Sequence, residues 1–403
     1  MSASAARLVE AEGAPDPRAT YGMLAVGLLV VGLVFQVEIL AAVATWEAST
    51  AYNHCFLIVP ISAYLIWDRK ETLEGLQPRP AAAWAALGLP VALGWLIAER
   101  LGIMEGRQLM VVSMAQVLFL AVLGRRLYGA VLGPLLYLYF AVPFGEFLVP
   151  KLQDITAVFV EYGIQYTGIP AYIDGYIIEI PEGTFFVAEA CAGLRFLIAS
   201  IAFGVLYALL MYRGPVRRTV FMLVSIAVPI VANGFRALGI VALGHILGSA
   251  EAAAADHVLY GWIFFSIVIL ILIALGLPFR QDLDRRPPSR PQPVDGPSSA
   301  VSSALATAFA IAVAAIGPGA ALALDRAAAA RVAEARALDM GPDCRAASMP
   351  WPGARSAAGG AVAMRVACGD DAFDVLVQTF PAGSTAGPVM AERRRLTRPP
   401  RSE

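Results

Sequence analysis

Charge is what this chain has least of. Only 15% of its 403 residues are Asp, Glu, Lys or Arg, and the formal net charge is −1. No basic surplus is left to meet a phosphate backbone, so nucleic acid is excluded as a partner. Histidine is scarcer still, with three copies, and the four cysteines, Cys55, Cys191, Cys344 and Cys368, include no CxxC pair. There is no HExxH and no clustered set of carboxylates, so ligands for a metal site are missing, and neither a metal nor a cofactor is expected. The leader Met1–Thr20 lacks a basic stretch directly before the first apolar run. That run is long, and it reads as a retained first span rather than a cleaved signal.

What the chain has instead is apolar surface. Hydrophobic residues make up 58% of it, more than a soluble domain can keep dry, so the bilayer has to act as part of the solvent. Apolar runs fall at Tyr21–Ala44, Cys55–Trp67, Ala81–Ala98, Leu109–Leu123, Leu127–Val149, Glu189–Tyr212, Thr219–Leu247, Val258–Pro278 and Val301–Leu324. They predict an all-α polytopic membrane protein, a bundle of about 8–9 transmembrane helices. Residues 1–20 read as a cytoplasmic leader and 21–280 as the main transmembrane domain. Residues 281–300, rich in Pro, Ser and Arg, read as a cytoplasmic linker, 301–324 as an additional span and 325–403 as an extracytoplasmic C-terminal region.

Lys and Arg set the orientation. One set of loops carries Arg69, Lys70 and Arg79, then Arg125 and Arg126, then Arg213, Arg217 and Arg218, then Arg280, Arg285, Arg286 and Arg290. The opposite set carries only Arg100, Arg107 and Lys151. The first set is therefore cytoplasmic, the N-terminus with Arg7 and Arg18 joins it, and an odd number of spans puts the C-terminal tail outside. On this reading Cys191 and His257 both fall where spans begin on the outer side. Arg236 lies roughly 25 Å along the seventh span, at about the same depth.

Ile177–Val187 differs from the spans. It is β-branched and aromatic around Pro181-Glu182-Gly183, which predicts a small outer β-hairpin leading into Cys191, with an edge open to an extended peptide. In the tail, Val362–Val366 and Phe373–Thr379 read as short strands, and an oxidising compartment would allow Cys344 and Cys368 to pair.

Three places hold chemistry. The run Ala190-Cys191-Ala192-Gly193-Leu194-Arg195 puts a lone thiol at the start of a helix, where unpaired N–H groups favour a thiolate. Gly193 allows close backbone approach, N–H groups of this turn are candidates for an oxyanion hole, and Arg195 lies at i+4 on the same face. The plainer alternative is a small buried cysteine in a bundle. Arg236 is a guanidinium inside a span, which costs roughly 2.5–3.5 kcal/mol on insertion scales and usually faces a polar cavity. Asn233 shares its face, and the alternative is an Arg that snorkels to the headgroups. For the base, His257, His245 and His54 all read as outward-facing, so position alone does not choose among them.

These residues resemble a known family. Ala190–Arg195, Asn233-Gly234-Phe235-Arg236 and His257 just before the eighth span are similar to the motifs of exosortases, multi-pass bacterial membrane cysteine transpeptidases related to archaeosortases, and within them to the A type. Trp46 followed by Tyr52-Asn53-His54-Cys55 resembles the family's Trp and Ser-His-Gly segment, with Asn53 and Cys55 in place of the commoner small residues, and Pro143-Phe144 also fits. The resemblance covers roughly Tyr21–Arg280. It implies Cys191 as nucleophile, Arg236 as stabilising cation and His257 as acid/base, with Arg195, Asn233, Gly193 and His54 in support. The implied substrates are secreted proteins ending in a PEP-CTERM signal: a Pro-Glu-Pro-like motif, a transmembrane segment and a basic end. A glycan or lipid-linked acceptor in the envelope, with a link to exopolysaccharide, would receive the cut chain. The site would face the periplasm from the inner membrane, with membrane lipid around it. The reading from another class is a non-catalytic subunit of polysaccharide export, in which Arg236 and Asn233 line a glycan path and Cys191 is idle.

Overall fold

A computed structural model describes residues 17–73, 75–248, 257–282, 300–329, 344–348, 361–368 and 371–378. In chain order the helices are α1 (Pro17–Val34), α2 (Gln36–Ala48), α3 (Ile58–Asp68), α4 (Lys70–Leu73), α5 (Gly88–Leu101), α6 (Met104–Ala130), α7 (Leu132–Tyr137) and α8 (Val149–Ile164). Strands β1 (Tyr172–Asp174), β2 (Ile177–Ile180) and β3 (Gly183–Phe186) follow. Then come α9 (Leu194–Met211), α10 (Pro215–Leu247), α11 (His257–Gly276), α12 (Ala300–Ala314) and α13 (Ile316–Ala329), and strands β4 (Cys344–Ser348), β5 (Ala361–Cys368) and β6 (Asp371–Gln378).

Among the described residues six helices are long and apolar enough to cross a membrane, and seven if Leu132–Ala141 and Glu146–Ile164 form one broken span, bent by 69°. The protein is therefore a mostly helical, multi-pass membrane protein. Several expected runs take a different form. The first divides at Phe35, between α1 and α2, and the second is only the short α3 behind a 3-10 turn over Asn53–Leu57. The eighth contributes Ile263–Phe279 as a shorter apolar helix. The fifth does not run straight to Val149. Val142-Pro143 ends it, because a proline ring excludes the α conformation at the residue before it and cannot donate an N–H. The chain then restarts as α8, which periodicity had not revealed.

The chain divides into two units. One comprises Arg18–Phe35, Pro80–Val122 and Ser299–Glu403. Its core packs Phe35, Trp95, Met114 and Leu118 against the small faces of Ala306, Ala310 and Ala314. Thr20 and Ser303 share a buried hydroxyl hydrogen bond of 2.8 Å, and Arg100 pairs with Asp325 at 2.7 Å. In the tail, β4, β5 and β6 form an antiparallel sheet with Cys344 directly opposite Cys368. Cys368 is disulfide-bonded. Most of the expected linker lies outside the described residues, and its last residues belong to α12.

The other unit, Gln36–Arg79 with Leu123–Ser298, carries the candidate site. Its spine is α10, started by Pro215 and ended at Gly248, whose φ of 68° few other residues adopt. α9 runs antiparallel to it: Gly193 meets Asn233, Gly204 meets Ser225 and Tyr207 stacks on Phe221 at 4.7 Å. α8 runs parallel to α10, with Phe159 against Phe235 at 4.9 Å and Gly163 against Leu238. α11 lies parallel to α9, with Phe196 stacked on Phe265 at 5.5 Å and Tyr207 against Gly276. The predicted hairpin is present as β2–β3, in register Ile178↔Phe185, and β1 adds a third strand. Ile178 and Ile180 are buried against Val160, Ile164 and Val241 of α8 and α10, and Phe185 sits over Gly244.

Candidate functional site

Cys191 ends a one-turn 3-10 helix, Glu189–Cys191, on the strand-to-helix connection between β3 and α9. Two backbone bonds close this turn. The Cys191 N–H donates to Ala188 at 2.8 Å and the Ala192 N–H to Glu189 at 3.0 Å. Both groups are thus already committed, and the Phe196 and Leu197 N–H groups donate to the Gly193 carbonyl at 3.1 Å, so an oxyanion hole built from this segment has to use the N–H groups of Gly193, Leu194 and Arg195. Gly193 is there for two reasons. Its φ is 83°, and a Cβ on it would lie 2.5 Å from Asn233 Cγ.

Asn233 is 1% exposed and ties three elements together. Its Nδ2 donates to the Cys191 carbonyl at 2.9 Å and to Thr156 Oγ1, on α8, at 3.0 Å. Thr156 in turn donates to Leu152 at 2.8 Å. Nearby, Gln153 Nε2 donates to the Val187 carbonyl at 2.6 Å and anchors the end of β3. Thr156 and Gln153 escaped the sequence reading because both sit on a helix that it did not contain. The signal that was there is an apolar face at Leu152, Ala157, Val160 and Ile164.

Arg236 lies three residues beyond Asn233 and is 7% exposed. Its guanidinium interacts electrostatically with the Cys191 side chain. Its Cζ also lies 5.2 Å from the centre of the Phe196 ring, and on the same ring Arg195 places its Cζ at 4.7 Å. The Nε atoms of both arginines are buried without a hydrogen-bond partner.

The three histidines separate. His257 opens α11 in its backbone trace, and its side chain is outside the described residues, as is Asp256. Positions 257, 261 and 265 form one i, i+4 stripe. Gly261 faces Arg195, whose Nη2 would be 3.0 Å from a Cβ there, and Phe265 faces Phe196. The described contacts of α11 with α9 begin at Gly261, one helical turn beyond His257. His245 is engaged elsewhere: its Nδ1 is 2.9 Å from Glu182 Oε2 at the hairpin turn, and this contact holds the Glu182 carboxyl below the ordinary carboxylate range. His54 stands beside Cys55, with 4.0 Å between Nε2 and Sγ.

Trp46 and Cys55 serve the broken span. Trp46 Nε1 donates to the Ala141 carbonyl at 3.0 Å, and Cys55 Sγ to that of Phe140 at 3.3 Å, so both cap carbonyls that the break leaves open. Asn53 Nδ2 fixes the Trp46 carbonyl at 2.8 Å. An open apolar groove of about 620 Å³ between α8 and α10, lined by Phe159, Tyr162, Tyr166 and Phe235, does not include Cys191. Among the described residues no three of His, Cys, Asp and Glu gather closely enough to hold a metal ion.

Comparison with known proteins adds one finding. A family model described as a transmembrane exosortase matches residues 46–274, from Trp46 through α11. Curated proteins and solved structures give no match.

Proposed function

The chain belongs to the transmembrane exosortase family, and from that premise we propose that it is a cysteine transpeptidase that cleaves C-terminal PEP-CTERM-like sorting signals at the outer face of the inner membrane and hands the cut chain to an envelope acceptor. The observation that carries this reading is convergence on Cys191. Asn233 holds its carbonyl, Arg236 approaches its side chain, and both come from a helix remote in sequence.

In this mechanism the Cys191 sulfur attacks the carbonyl carbon of the scissile peptide bond. The developing oxyanion is met by N–H groups of the first turn of α9 and by Arg236, in a site where buried donors act strongly. His257 takes the thiol proton and returns it to the departing amine, so the C–N bond breaks and a thioester remains. A nucleophile on the acceptor, or water, then attacks the thioester and releases the sulfur.

The test is processing of a co-expressed protein with a Pro-Glu-Pro-plus-span tail. Cys191→Ala should leave the precursor uncut while the protein inserts normally. Normal processing by Cys191→Ala, with loss only in Arg236→Ala, would overturn the reading in favour of a non-catalytic export subunit.

A further inference from the structure

Arg195 and Arg236 put two positive charges on one aromatic ring, and nothing described neutralises the pair. Their Cζ atoms lie 4.7 and 5.2 Å from the Phe196 centroid, both Nε atoms are buried without a partner, and among the described residues no carboxylate pairs with either. Among the described residues Arg236 has the Cys191 side chain, and Arg195 has Phe196 and the flat surface at Gly261. Like charges this close raise each other's cost in a medium of low dielectric, and a protein keeps such a pair where an anion arrives to relieve it.

We propose that Arg195 and Arg236 form an anion site beside the Cys191 sulfur, and that Arg195 is the arm that takes a carboxylate carried by the substrate peptide next to the bond that Cys191 attacks. The anion site stands on the geometry alone; the peptide as carrier rests on the function proposed above. A guanidinium fork matches any oxyanion, phosphate included. Arg236 is 7% exposed and Arg195 is half-buried with its Nε shut off from solvent, so burial favours an oxyanion delivered by a bound substrate over a headgroup in the open leaflet. The route for a peptide is also present. Among the described residues β3 pairs with β2 alone, which leaves its other edge open, and the chain passes from that strand through Val187 to Cys191.

Alkylation of Cys191 in the full-length, detergent-solubilised protein tests this with iodoacetate and iodoacetamide, which differ chiefly in charge. The iodoacetate-to-iodoacetamide rate ratio, read on the Cys191 peptide by mass spectrometry, should exceed that of free cysteine. Arg195→Gln should lower it about tenfold, the scale of a charge-assisted contact, and Arg195→Lys should keep most of it. Iodoacetamide sets the thiol's own reactivity, so a general loss of nucleophilicity cancels from the ratio. An unchanged ratio in Arg195→Gln overturns the anion site and leaves Cys191 as nucleophile. A thiol that reacts with neither reagent overturns both. A short Glu-containing peptide should slow iodoacetamide more than its Gln counterpart does. Protection by inorganic phosphate but by neither peptide would overturn the assignment to a substrate carboxylate.

Discussion

The side-chain amide of Asn233 donates to the backbone carbonyl of Cys191 at 2.9 Å. A helix that begins 24 residues after the thiol therefore fixes the turn that presents it. The same amide reaches Thr156, so the turn, α8 and α10 move as one body. This junction makes Asn233 a positioning residue, distinct from Arg236, whose charge acts on the sulfur itself.

Replacing Asn233 with Ala should cost about 1–3 kcal/mol, because it removes the donor to the part-buried Cys191 carbonyl and the one to Thr156 Oγ1, which keeps its own bond to Leu152. Thermal unfolding in detergent measures that loss, and processing should fall with it. Asn233→Leu, which also fills the space, should do no better. A variant of normal stability and activity would remove Asn233 from the site.

Gly193→Ala should be worse than its one methyl group suggests. The added Cβ meets Asn233 Cγ at 2.5 Å on a backbone with φ of 83°. The two contributions act together: strain of about 1–3 kcal/mol at the turn and displacement of the amide that holds it. The expected result is near-complete loss of processing, and alkylation of Cys191 at a changed rate reports the displaced turn.

Trp46→Phe keeps an aromatic ring, smaller than the indole, and removes the N–H that caps Ala141. The expected cost is about 1 kcal/mol, the net value of one hydrogen bond. Cys55→Ala should act on the neighbouring carbonyl of Phe140 in the same direction. Lower unfolding temperatures with Cys191 alkylation unchanged would assign both to the broken span rather than to the chemistry.

Acid should loosen the hairpin. Contact with His245 depresses the Glu182 carboxyl. Its contribution is therefore present above the unfolded-state value of about 4.3 and is lost as pH falls through the lower folded-state value. Hydrogen exchange of the Glu179–Phe186 amides should rise over that window, and Glu182→Gln should abolish the acid limb.

The tail makes a separate prediction. With Cys55 and Cys191 free and Cys368 disulfide-bonded, thiol titration of the denatured chain should find two thiols before reduction and four after. Cys344, opposite Cys368 in register, is the expected partner, and a count of four without reductant would refute the pairing.

Much of this arrangement was legible in the residues, and the parts that were not have physical causes. Arg236 and Asn233 stood out because polar groups inside a span are expensive, and Gly193 because a turn before a helix needs its freedom. The hairpin was legible from alternation around Pro181-Glu182-Gly183. α8 was not, because five of its 16 residues, Lys151, Gln153, Asp154, Thr156 and Glu161, are polar and it restarts after a break that reads as continuous hydropathy. The roles of Trp46 and Cys55 were hidden for the same reason: they answer carbonyls that exist only once Val142-Pro143 interrupts the helix. The engagement of His245 was not legible, because only packing brings it to Glu182; the choice of His257 rests on the family resemblance.

α10 runs for 33 residues, about 50 Å, while a bilayer's hydrocarbon slab is about 30 Å thick. Asn233 and Arg236 lie some 27–32 Å from its start, about one slab thickness along it. On the proposed function, lipid chain length would then become a control on the reaction: stretching the acyl tails by a few carbons would submerge the thiol in oil, and shortening them would leave it awash.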